Sequence, residues 1–350
     1  MSKRLTTGVV AALVALTLIA VLGTLWWREA HRSDFQRAAD LVPADSERLS
    51  WTDWGSVRDQ LDVRLDADSS VNEVSDFLAQ GYDADLTSTS ALVESAPVMQ
   101  ARFGFSPATV DWEIFSQSSN GAVVIVQLPD GTDFDDLGDR IEALGYSRPS
   151  DEAGVWRGGD DLLTTIGPNL TPELQYLALD EGQGLVLSSD NAAFLDTALD
   201  QLGDGVEGDL AEVVDASADA LSASVYDGTY TCTALAMSQA DEADQDQAAE
   251  LLEQAGKVNP IRGFAMSVLP GGDVRVAMAF ENDDQAVTNA DTRAVLVAGP
   301  APGQGGDFTD RFRVDAVTAE GRIVRFDLVP REGAYVLSDL SAGPVLFAAC

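Results

Sequence analysis

The chain of 350 residues carries 58 acidic and 21 basic side chains, a formal net charge of -37, and its 45% hydrophobic content is enough for one large or two ordinary domains with a real core. Such a surface excludes nucleic acid as a partner, because binding a polyanion needs runs of Lys and Arg that displace counterions, and only Lys3 and Lys257 are lysines. The single histidine, His31, excludes from the body of the protein a Ser-His-Asp triad, a Cys-His pair, a histidine zinc site and a haem histidine.

In chain order, Lys3 and Arg4 mark residues 1–7 as a cytoplasmic n-region, and Gly8 to Trp27 follows without a charge. As a helix this stretch is about 30 Å long, the thickness of a bilayer's hydrocarbon core. Its Leu, Val and Ile residues favour insertion by roughly 3 to 6 kcal/mol before Gly and Thr are counted against it. Trp26 and Trp27 suit the membrane interface, where an indole keeps its face apolar while its N-H meets water. The chain is therefore expected to sit in the cell membrane as a single-pass protein, with the lipid bilayer as its first partner and its C-terminal body outside the cytoplasm. The competing reading is secretion after cleavage near Val21-Leu22-Gly23. Flanking charges do not decide orientation, since Arg28, Arg32 and Arg37 balance Lys3, Arg4 and the amino terminus.

Residues 28–40 read as a juxtamembrane stalk. A strand over 47–51 follows, then a helix capped by Thr52 or Asp53 with Trp54, Val57 and Leu61 on one face. Trp51 and Trp54 read as core, with a sugar-stacking platform as the functional alternative. Val71, Val74, Phe77 and Leu78 predict a helix ending at Gly81, and 91–101 another, broken near Pro97. Ser106-Pro107 predicts a further helix start, leading into Val110-Asp111-Trp112-Glu113.

From Gly121 strands and helices alternate. Residues 122–128 predict a strand covered on both faces, and Asp133 caps a helix with Phe134, Leu137, Ile141 and Leu144 on one stripe, closed by Gly145. Strands are expected at 155–157, 162–166, 174–179 and 184–187, then a helix capped by Asp190 and closed by Gly203. A second pass has strands at 222–226 and 229–237, a helix from Ser238 to Gly256, a hairpin of 263–269 with 274–280 across Pro270-Gly271-Gly272-Asp273, and a helix capped by Asp283 or Asp284 and closed by Gly299. Short strands are expected at 311–317, 323–328, 335–337 and 345–347.

The fold class expected is α+β: a transmembrane helix over 8–27, then an ectodomain of two pseudo-repeated units on largely antiparallel sheet, with helices on one face. The repeats run over about 120–203 and 229–299, inside a first unit at 41–220 with a helical N-terminal part and a second at 221–350 ending in strands.

Cys232 and Cys350 are the only cysteines, and in an oxidising compartment they are expected to form a disulfide, with two separate thiols as the alternative. Gly299 to Gly306 lacks the Gly-Lys-Ser/Thr ending of a phosphate loop and reads as a linker. The acidic groups Asp130, Asp133, Asp135, Asp136 and Asp241, Glu242, Asp244, Asp246 lack the spacing of a calcium loop and belong to helix starts. No catalytic, cofactor-binding or metal-ligating residue is assigned, and no cofactor is expected.

Ser106-Pro107 through Trp112-Glu113, Gly299 to Gly306 and Gly343-Pro344-Val345-Leu346-Phe347 together resemble a group of actinobacterial membrane-anchored or secreted proteins of unknown function. The resemblance implies export but no activity. The function expected is a non-enzymatic binding or interaction module of the cell envelope, with an envelope protein or glycan as partner. The alternatives are a carboxylate-dependent hydrolase of envelope glycans, which needs a pair of carboxylates flanking a cleft, and a passive spacer.

Overall fold

The computed structural model describes residues 32–151 and 154–350. The expected span Gly8 to Trp27, its boundary residues Trp26 and Trp27, and His31 lie outside the described residues. Among the described residues no helix is long and apolar enough to cross a membrane.

The chain is α+β, built on one antiparallel sheet of 11 strands in the order β10-β11-β9-β8-β7-β1-β2-β3-β6-β5-β4. The strands are β1 (Arg48–Thr52), β2 (Trp112–Ser118), β3 (Gly121–Gln127), β4 (Trp156–Arg157), β5 (Tyr176–Asp180), β6 (Leu185–Ser189), β7 (Ser222–Asp227), β8 (Gly263–Val268), β9 (Val274–Ala279), β10 (Phe312–Glu320) and β11 (Ile323–Pro330). Strand alternation sends neighbouring residues to opposite faces, and each face has its own core. Leu49, Trp51, Trp112, Ile114, Val123 and Ile125 enter one cluster, while Val124, Val126, Phe264, Met266 and Phe326 enter the other.

Helices cover both faces, where helices on one face were expected. Among the described residues, α1 (Asp34–Ala39), α7 (Ala192–Asp200) and α8 (Gly208–Ala216) bury Phe35, Leu195 and Val213 in the smaller core. The larger core receives α2 (Trp54–Gln60), α3 (Val71–Asp83), α4 (Ala96–Arg102), α5 (Phe134–Leu144), α6 (Asp160–Ile166), α9 (Glu242–Ala255), α10 (Asp283–Val297) and α11 (Val336–Ala342). Coverage of both faces is why the strands next to β1 and β7 carry apolar residues on both sides.

Outward from the central β1–β7 pair, the first five strands on each side follow the same order, β1, β2, β3, β6, β5 and β7, β8, β9, β11, β10, and β4 adds an edge strand to the first side alone. Ser50 pairs with Ser224 at the middle, between Arg48 with Tyr226 and Thr52 with Ser222. Hydrogen bonds match as well. Asp111 N–H donates to Gln127 O (2.8 Å) as Arg262 N–H does to Ala279 O (2.8 Å), and Leu128 N–H donates to Gly184 O (2.9 Å) as Phe280 N–H does to Arg322 O (2.9 Å). These correspondences put β8–β9 opposite β2–β3 and α10 opposite α5. They shift the register expected from the sequence, which set 122–128 against 229–237.

That register fails because 229–237 is no strand. Asp227 accepts from Tyr230 N–H at 2.5 Å and caps a helical turn (Gly228–Tyr230) that runs into a π-helix (Thr231–Leu235), so a β-branched and aromatic run is folded helically. Other expectations also change. Ser106-Pro107 starts a single turn, in which Ser106 O accepts from the N–H groups of Thr109 and Val110, and β2 follows it. Residues 160–166 form α6, because Gly159 at φ 84 opens a turn with Asp160 and Asp161 at its positive end. α3 continues through Gly81 to Asp83, since a side chain there would meet Thr87 Cγ2 at 2.5 Å and only glycine fits. The tail is helical too: 335–337 opens α11 and 346–348 is a 3-10 turn.

α11 has no side-chain cap of its own. Asp85 supplies one from across the molecule, accepting from Leu337 N–H (2.6 Å), Ser338 N–H (3.1 Å) and the Ser338 hydroxyl (2.5 Å). Its backbone sits at φ 58, a region that Asp and Asn tolerate better than Ala. Asp85→Ala is therefore expected to lower unfolding free energy by about 2 kcal/mol and Asp85→Asn by less than half of that, measured by urea titration. Equal losses for both substitutions would contradict the capping role.

A candidate binding cleft

The cleft is built around α5. Asp133 caps the helix by accepting from Asp136 N–H at 3.0 Å, and Gly145 closes it at φ 110. Leu137 and Ile141 point into the larger core, and Arg140 lies beside them towards residues 104–109, the segment joining α4 to β2. Gly104, at φ 90, makes this approach possible: a Cβ there would stand 2.9 Å from Arg140 Cδ, so the arginine stem rests on the glycine backbone.

The result is a cleft of about 420 Å³ between α5, the 104–109 segment, the loop after β3 and the loop before α3. Leu65, Phe105, Leu128, Pro129 and Leu137 give it an apolar wall, and Asp66, Asp133 and Asp136 give it an acidic rim. Gln100 pins two sides of it, donating to Asp66 O (2.9 Å) and Ser69 O (3.2 Å) and accepting from the Ser106 hydroxyl (2.7 Å). Most polar groups at the cleft are spent within the chain. Thr109 donates to Ser106 O, Thr132 to Pro129 O, and Asp66 accepts from Asp68 N–H and the Ser69 hydroxyl. Arg140 is exposed and has no hydrogen-bond or ion-pair partner among the described residues.

Burial pushes four carboxyls above their ordinary values: Glu113, Asp53, Asp85 and Asp111. None of them lines the cleft. Glu113 accepts from Trp54 Nε1 (3.0 Å), the Ser90 hydroxyl (2.7 Å) and Ala91 N–H (2.7 Å); Asp53 caps α2, and Asp111 faces the Arg58 guanidinium, which partly offsets its burial. A carboxyl raised on folding binds its proton more tightly in the folded chain. Its contribution is present in full below the ordinary values of 3.8 for Asp and 4.5 for Glu, and is lost as pH rises through the raised values. Self-repulsion from a net charge of -37 weakens the fold in the same direction. The thermal midpoint is therefore expected to rise as pH is lowered from neutral towards the ordinary carboxyl values of 3.8 and 4.5, followed by calorimetry at constant ionic strength; a steady fall over that interval would contradict the assignment.

Of the residues singled out in the sequence, Cys232 and Cys350 are bonded, with Cα atoms 5.7 Å apart. Trp51 and Trp54 are buried on opposite faces of the sheet, Trp51 stacked on Phe35 at 5.1 Å and Trp54 edge-on to Phe77 at 5.9 Å, so neither offers a sugar platform. The Gly299 to Gly306 stretch closes on itself through Ala301 N–H to Gly306 O. Asp133 and Asp241 act as helix caps, and among the described residues no three His, Cys, Asp or Glu side chains gather as a metal site. Sequence reasoning missed the cleft. The available signal was Arg140 itself, a lone base in the acidic helix 134–144.

No protein-family model matches the chain, and no curated protein matches it. Among solved structures the chain is similar to crystal form I of TP0453, with a TM-score of 0.41 and 7% identity over 87% of this chain and 96% of that one. It is similar to crystal form III of the same protein with a TM-score of 0.39 and 8% identity, over 86% of this chain and 96% of that one.

Proposed function

We propose that the chain is a single-pass membrane protein, related to the actinobacterial envelope proteins it resembles, whose acidic body acts outside the cytoplasm as a non-enzymatic binding module of the cell envelope. The observation that carries this reading is the cleft on α5, an apolar wall of five side chains beside Arg140, which has no hydrogen-bond or ion-pair partner among the described residues. Ligand sites are concave and mostly apolar, with a few polar groups that fix orientation, and this cleft has that composition. The shared strand order of the two halves supports a duplicated unit, in which the cleft belongs to the first copy. Export is supported by the Cys232–Cys350 disulfide, a bond that persists in oxidising compartments.

A hydrolase of envelope glycans is the second reading, favoured by Asp66, Asp133 and Asp136 on one rim. The two are separated by incubating the purified protein with cell-wall glycan and following both retention and reducing ends. Retention without product release supports the binding module. Product release that is abolished by Asp136→Asn replaces it with the hydrolase. Anchoring is tested by the mass of the mature chain, since an N-terminus at Thr24 would rule out the membrane helix.

A further inference from the structure

The two halves treat matching ground differently. In the second half, α10 corresponds to α5 and residues 256–262 correspond to the 104–111 segment, by the strand order and the paired hydrogen bonds before β2 and β8. There the space beside the helix is filled by the chain's own backbone, the 256–262 segment and the C-terminal tail with its 3-10 turn over Leu346–Ala348. Arg293, one helical turn further from its N-cap than Arg140 is from Asp133, is fully buried and donates to Ala349 O (2.8 Å), Phe347 O and Asn259 O (2.7 Å). Its guanidinium lies over the Phe280 ring at 5.4 Å, and Phe280 is the counterpart of Leu128, which lines the cleft. Burial without a carboxylate partner pushes Arg293 down to about 9, and three backbone carbonyls together with Asn289 Oδ1, which accepts from Nε at 3.0 Å, are what hold it.

In the first half the helix, the arginine stem and the apolar residue after the third strand are all present, and among the described residues no carbonyl accepts from the guanidinium. Arg140 has no acceptor for its donors among the described residues and lies over an apolar wall, and the carboxylates of Asp66, Asp133 and Asp136 stand at the rim. We infer that this cleft takes an extended peptide segment of a partner protein, with apolar side chains against Phe105, Leu128 and Leu137, backbone carbonyls on Arg140, and basic side chains facing the acidic rim. Arg140 orients the segment as Arg293 orients the tail, and the rim, in a protein of charge -37, selects basic over acidic sequences. The inference rests on the binding-module reading and names the class of ligand for that site.

The test uses the whole chain in detergent and a fluorescein-labelled hexapeptide of alternating leucine and lysine, followed by anisotropy. Saturable binding is expected, weakened about tenfold or more in Arg140→Ala, unchanged in Arg313→Ala, and much weaker when glutamate replaces lysine in the probe. Equal binding by the parent and Arg140→Ala, or equal binding of the lysine and glutamate probes, overturns the inference. If a chitin oligosaccharide or dodecanoate binds in an Arg140-dependent way and the peptide does not, the peptide inference falls and the binding module stands. If none of the probes binds, both fall.

Discussion

Trp54→Ala is expected to lower the unfolding free energy by about 3 to 5 kcal/mol, the cost of truncating a fully buried aromatic side chain. Trp54 is 0% exposed, sits edge-on to Phe77 in the larger core, and holds α2 against the central strands. Its indole N–H is one of three donors converging on the buried carboxylate of Glu113, with the Ser90 hydroxyl and Ala91 N–H as the others. The carboxylate thereby ties both α2 and the segment before α4 to β2, at the centre of the sheet. Trp54→Phe separates packing from hydrogen bonding: it keeps most of the ring and removes one donor, at an expected cost of about 1 to 3 kcal/mol. Glu113→Gln is expected to cost a similar amount, because an amide turns an N–H₂ group towards donors. Chemical denaturation of the three variants checks this, and a loss below about 1 kcal/mol in Trp54→Ala would show that the helix is held by something else.

Removing the disulfide has the next largest effect. Cys232 and Cys350 are separated by 118 residues, and opening a loop of that length is expected to lower stability by about 4 to 5 kcal/mol through the entropy of the unfolded chain. The tail should nonetheless stay seated in the folded state, because Arg293 holds the carbonyls of Phe347 and Ala349, and Val345 N–H donates to Leu235 O at 3.0 Å. Cys232→Ser is therefore expected to lower the unfolding midpoint strongly while leaving tryptophan fluorescence and far-UV circular dichroism unchanged below the transition. A midpoint within a degree or two of the parent would contradict the entropic role; a lost native signal would contradict the arginine clamp.

Much of the architecture is legible in the sequence because local rules and tertiary packing agree. Asp133 and Gly145 bound α5 where capping chemistry puts them, and the Pro270-Gly271-Gly272-Asp273 hairpin turns with both glycines at positive φ. The failures lie where a distant group decides. β2 is hidden because Glu113 breaks its apolar run, and only the converging donors from Trp54, Ser90 and Ala91 make that carboxylate tolerable inside. Residues 335–337 read as a short strand until Asp85, some 250 positions upstream, caps them into the start of α11. The duplicated order shows in the sequence but out of register, because the 229–237 segment has strand composition and is held in helical turns around the π-helix Thr231–Leu235, which carries the disulfide's Cys232. The cleft is illegible for a simpler reason. Its walls come from four separate stretches of chain, and the feature that marks it, a guanidinium without a partner among the described residues, is a property of surroundings that periodicity does not describe.

The binding claim is met most directly by hydrogen–deuterium exchange of the full chain with and without the leucine–lysine hexapeptide. Protection is expected in residues 104–109 and 128–140 together, the two sides of the cleft, and is expected to disappear in Arg140→Ala. Protection confined to other parts of the sheet, or an unchanged pattern at saturating peptide, would contradict it.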